Sequence, residues 1–131
     1  MRVITISIMV LRLAVLLALI LGILFWTGNA LNLTLIHMIL GFIVVISLWT
    51  IGLAQGFTKG GSFALALATF VLGLLLAIVG LYQTRWLTGS THWIIQVIHL
   101  LLGLSAIGLG EMITARTKRR LRGADVQRQL S

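Results

Sequence analysis

Two histidines, His37 and His99, stand inside long apolar stretches, and each is followed four residues later by a glycine, Gly41 and Gly103. An imidazole in a hydrocarbon setting is costly, and ionisable side chains at such depth mark ligand sites or ion paths by default. Imidazole is also the commonest protein ligand for metals. The surroundings of the two histidines match. Residues 26–41 read WTGNALNLTLIHMILG and residues 86–103 read WLTGSTHWIIQVIHLLLG. Each runs from Trp through Thr-Gly and a short polar patch into an apolar run that ends in His-x-x-x-Gly. Two histidines at matching points of a duplicated unit suggest one shared ligand.

Residues at helical spacing from this pair extend the chemistry. Thr34 and Gln96 lie three positions before His37 and His99. On a helix they share a face with the rings and can serve the second ring nitrogen, which a ligating histidine normally commits to a partner. Gly41 and Gly103, one turn beyond, leave room for something flat. A planar macrocycle suits that arrangement, because haem iron accepts axial imidazoles from two sides. Arg85, Asn29, Asn32 and the Trp indoles lie at the same end, where haem propionates would need donors. Two other readings stand beside haem. The histidines can hydrogen-bond between helices as polar glue, or they can serve another ligand such as zinc or a quinone. Tetrahedral zinc needs three or four protein ligands, and His92, one to two turns away, is the one further candidate.

The elements that must position these residues are read from the apolar runs. The chain has 131 residues, 60% hydrophobic and 9% charged. A membrane-spanning helix needs about 20 mainly apolar residues, and four segments qualify, at about 10–26, 33–54, 63–82 and 93–113. They make residues 1–113 one transmembrane domain and leave 114–131 as a basic tail. Val3 to Met9 is either an interfacial lead-in or an extension of the first helix. Proline is absent, so no helix has a proline kink. Cysteine is absent too, which removes disulfides and thiolate metal sites. Ala14, Ala18 and Gly22 form a small-residue stripe that allows close helix approach. Ala66, Gly73 and Gly80 recur at heptad spacing. In the fourth segment His92, Gln96, His99, Gly103, Ala106 and Gly110 share one helical face.

Charge sets the expected orientation. If the segments alternate, Arg2, Arg12, Lys59, Arg116, Lys118, Arg119, Arg120, Arg122 and Arg128 fall on one side and Arg85 alone on the other. That asymmetry places both termini in the cytoplasm and the two Thr-Gly turns outside, in a membrane that is expected to be a bacterial inner membrane. The fold class is then all-α, a polytopic four-helix antiparallel bundle built as a tandem repeat of two helical hairpins. The competing reading of the start, a cleaved signal peptide with Arg2 and Arg12 before an apolar run, sits poorly with the first helix repeating the part played by the third.

With four helices, His37 and His99 on parallel helices and glycines one turn away, the chain resembles the integral-membrane b-type cytochromes with four-helix cores, the cytochrome b561 and ferric-reductase-like groups. The resemblance implies one haem b with His37 and His99 as axial metal ligands, Arg85 as a propionate partner, and Thr34, Gln96, Gly41 and Gly103 around the rings. It implies one-electron exchange with a quinone or a larger membrane complex. Those families commonly hold a second haem near the other face. Here the positions thirteen residues beyond the histidines are Thr50 and Met112, so a second haem has no ligands.

Other functions find less support. The alternative of a non-enzymatic four-helix protein or accessory subunit requires only that the histidines pack. Transport needs a polar path, and beyond His37 and His99 the segments are apolar until Glu111, which is expected to pair with Arg12 or Arg116. The basic tail reads as a topology anchor on the lipid bilayer. No aromatic residue interleaves it to stack bases, so no nucleic acid is expected. Asp125 lies in the tail, away from both histidines, which excludes a Ser-His-Asp set. The run GFTKGG at 56–61 lacks the strand and spacing of a phosphate loop.

Overall fold

The computed structural model describes residues 1–131 and is all-helical. Four long helices carry the chain: α1 (Arg2–Trp26), α2 (Thr34–Gly56), α3 (Phe63–Tyr82) and α4 (His92–Leu130). Each is long and apolar enough to cross a membrane. Single 3₁₀ turns, Leu31–Leu33 and Gly89–Thr91, lead into α2 and α4. The glycines of the two Thr-Gly pairs take left-handed backbone, with φ of +79° at Gly28 and +83° at Gly89. A side chain is strained in that region, so both turns depend on glycine in the same way.

The opposite end is closed by a polar staple. Gln55 is fully buried, donates to the Gly52 and Ser62 carbonyls at 3.0 and 2.6 Å, and accepts from the Ser62 amide at 3.0 Å. Ser62 in turn caps α3, its hydroxyl accepting from the Leu65 amide. One side chain therefore ties the end of α2 to the start of α3 while satisfying backbone groups that hydrocarbon would leave unpaired.

The dry core lies toward this loop end. Ile8, Leu11, Leu48, Ile51 and Ile113 are at most 2% exposed. Small residues bring the backbones together there. Gly52 faces Thr69, Gly73 faces the Trp49 indole, and Gly110 faces Leu11 and Ile8. Trp49 is held by a 3.3 Å hydrogen bond to the Phe70 carbonyl and stacks on the Phe70 ring. Only 21 of 131 residues are buried, so most of the large apolar side chains point outward. Such a surface is stable in contact with lipid, not water.

Two helices are longer than their apolar runs. α1 begins at Arg2, well before Val10, because Ile4 and Ile8 are buried. α4 continues to Leu130 through the basic segment. Thr114 and Thr117 are buried beyond the apolar span, and no proline interrupts the run. The Arg12 guanidinium meets the Glu111 carboxylate at two points, 2.5 and 2.9 Å, linking α1 to α4. Of the two arginines weighed for Glu111, the partner is Arg12.

Candidate functional site

Toward the end that carries the two Thr-Gly turns, the helices part around a cavity of about 630 Å³. That volume lies within the roughly 300–1,000 Å³ typical of sites for cofactors and small ligands. His37 from α2 and His99 from α4 both line it, with ring centroids 6.1 Å apart and ring planes at 63°. A metal–imidazole bond is about 2.0–2.1 Å, and a ring centre lies about 1.1 Å behind its nitrogen by covalent geometry. One ion bonded to both rings in line thus separates the centroids by about 6.2–6.4 Å. The observed spacing is close to that figure. Nδ1 of each ring is buried without a hydrogen-bond partner.

Glycine clears the space on every side. Gly22, Gly41, Gly80 and Gly103, one from each helix, all line the cavity. Gly41 and Gly103 face open space, for a Cβ built on either meets no atom within 4 Å. Gly22 and Gly80 do a different job. A Cβ at Gly22 would stand 3.6 Å from His37 Cε1, and one at Gly80 would stand 3.2 Å from His99 Cε1. These two let α1 and α3 back onto the imidazoles and hold them in place. Phe25 adds an edge-on contact to His37 at 5.2 Å.

The other expected residues divide. Thr34 and Gln96 line the cavity, but Thr34 spends its hydroxyl on the Leu31 carbonyl at 2.7 Å, closing the turn before α2. Neither it nor Gln96 serves a histidine Nδ1, since both nitrogens are without partners. Arg85 is not part of the lining. Its guanidinium lies over the Tyr82 ring, 5.9 Å from the centroid. Gln83, Thr84 and His92 line that end instead. His92 Nδ1 contacts the Trp86 carbonyl at 3.3 Å, so this nitrogen is the one that donates. No group of three or more His, Cys, Asp or Glu side chains converges anywhere in the chain, which leaves tetrahedral zinc short of ligands.

Gly22 and Gly80 were legible only as members of packing stripes. The signal for their role is that Gly22 is the only glycine of α1 and lies four residues before Trp26, at the same end as the histidines. No family model, curated protein or solved structure matches this chain.

Proposed function

We propose that the protein is a small membrane b-type cytochrome holding one haem between α2 and α4. The observation that carries this reading is the pair His37 and His99, which line one glycine-rich cavity with ring centroids 6.1 Å apart. Haem b, when bound, supplies a reversible one-electron couple. The chain's residues do the rest. His37 and His99 would hold the haem iron, and ligation by two protein imidazoles would suit electron exchange. Gly41 and Gly103 accommodate the flat ring, while Gly22 and Gly80 seat the imidazoles against α1 and α3. Gln83, Thr84, Gln96 and His92, which line the same cavity, would supply donors to the haem propionates.

The proposal includes the arrangement around the site. The four helices form an antiparallel bundle of two duplicated hairpins in a bacterial inner membrane, with both termini cytoplasmic and the haem near the outer face. Matching 3₁₀ turns, matching left-handed glycines and matching glycine–histidine contacts support the duplication. The charge asymmetry supports the orientation. The electron partner is a quinone or a larger membrane complex reached from the outer side.

An absorption spectrum tests the reading. Protein purified from haem-replete cells should show a Soret band and the reduced bands of a six-coordinate b-type haem. His37→Ala and His99→Ala should each abolish them while leaving helical circular dichroism intact. A colourless preparation that also fails to take up added haem would refute the proposal.

A further inference from the structure

A second cavity lies at the loop end, remote from the histidines. We infer that it binds the phosphate headgroup of an anionic phospholipid. Its volume is about 640 Å³, and Gly60, Ser62, Arg116, Thr117, Arg119 and Arg120 line it. The three arginines fall at i, i+3 and i+4 on α4, so their guanidinium groups share one face. Nothing in the chain neutralises them. There are two acids in all, and Glu111 is taken by Arg12 in the one ion pair present. Like charges drawn into a single cavity repel each other unless an anion joins them.

The donors are arranged for such an anion. Arg120 is anchored on the α2–α3 loop, its Nη2 donating to Thr58 Oγ1 at 2.5 Å, while its Nε is buried with no partner. Arg116 and Arg119 are exposed and make no ion pair. Ala64, in the first turn of α3, also lines the cavity, so the positive end of that helix faces the same space. Forked arginine donors match phosphate oxygens in pairs. The loop itself selects a lipid over a soluble phosphate. Phe57 and Phe63 flank it at 90% and 82% exposure, apolar side chains suited to acyl chains beside a headgroup. Basic residues at this level are attracted to anionic leaflets, and the cavity turns that diffuse attraction into a discrete site. The inference does not depend on haem.

Native mass spectrometry of the full chain in mild detergent, with phosphatidylglycerol or phosphatidylcholine added, tests it. The chain should retain phosphatidylglycerol in preference to phosphatidylcholine. Arg116→Gln with Arg119→Gln, which leaves the Arg120–Thr58 contact in place, should weaken retention by about tenfold or more, as expected for losing charge-assisted hydrogen bonds. Lys118→Gln with Arg122→Gln removes the same charge outside the cavity and should retain the lipid as the parent does. Equal losses in the two double variants would overturn the site in favour of diffuse charge. Equal retention of both lipids, or displacement by inorganic phosphate, would overturn the lipid assignment.

Discussion

Replacing Gly41 or Gly103 with alanine should move protein stability and haem affinity in opposite directions. A Cβ at either position meets no atom within 4 Å, so the apoprotein accepts the methyl group without strain. Alanine also restricts the unfolded chain and favours the helix, and such substitutions at compatible sites stabilise by about 0.4–1 kcal/mol. If haem fills the cavity, the same methyl group projects into occupied space. Overpacking of that kind costs about 1–3 kcal/mol, which is about 5- to 150-fold in affinity. Each variant should therefore melt a little higher than the parent as apoprotein and bind added haem more weakly. Thermal circular dichroism on haem-free protein gives the first quantity, and titration of the Soret band in detergent gives the second. Variants that are stabilised yet bind haem as tightly as the parent would show that the space beside these glycines is not where the ring sits. Variants that are destabilised as apoprotein would show that the cavity is closed in the absence of ligand, and the reasoning would fail at its first step.

Two further outcomes check the packing. Gly52→Ala and Gly73→Ala should destabilise by about 1–3 kcal/mol in the same melts, because the new Cβ would run into Thr69 and the Trp49 indole, both held by hydrogen bonds to backbone carbonyls. Arg12→Gln and Glu111→Gln should each lower the melting temperature, because each leaves the other member of the exposed pair without its counter-charge, and the double variant should lose less than the two single losses combined; additive losses across the cycle would mean the ion pair contributes no coupling.

Much of this molecule was legible in its sequence, for reasons particular residues make plain. Apolar runs near membrane thickness marked all four helices, and the His-x-x-x-Gly repeat placed His37, His99, Gly41 and Gly103 around one space. What escaped the reading depended on contacts between helices. Arg85 is the one cation at that end and reads as a donor to the site, yet the Tyr82 ring three residues earlier, at the end of α3, draws the guanidinium sideways. Thr34 stands at the right spacing from His37, but a hydroxyl at the start of a helix is captured by its own turn. Gly22 and Gly80 looked like packing devices, and they are. Their packing partners are the imidazoles themselves, which no periodicity within a single helix can reveal. The sequence left open whether Val3 to Met9 extends α1 and how far α4 runs into the tail, for a related reason. Hydropathy registers where a helix becomes polar, whereas Ile4, Ile8, Thr114 and Thr117 are held by neighbours past that point.

The distribution of small residues explains why the helices part beside the histidines and close over the core. Every helix carries glycine or alanine, but the space these residues open is used in two ways. At the loop end it is filled at once: Thr69 occupies the room at Gly52, Trp49 that at Gly73, and Leu11 that at Gly110. At the turn end the room at Gly41 and Gly103 is left open, and the two imidazoles border it. Thr50 and Met112, at the places where a second ligand pair would stand, cannot repeat the arrangement. The Thr50 hydroxyl is bonded to the Ile46 carbonyl of its own helix at 2.8 Å, and the neighbouring Leu48, Ile51 and Ile113 are sealed from solvent. The residues that could hold a cofactor are therefore confined to the turn end, where the two imidazoles border open space.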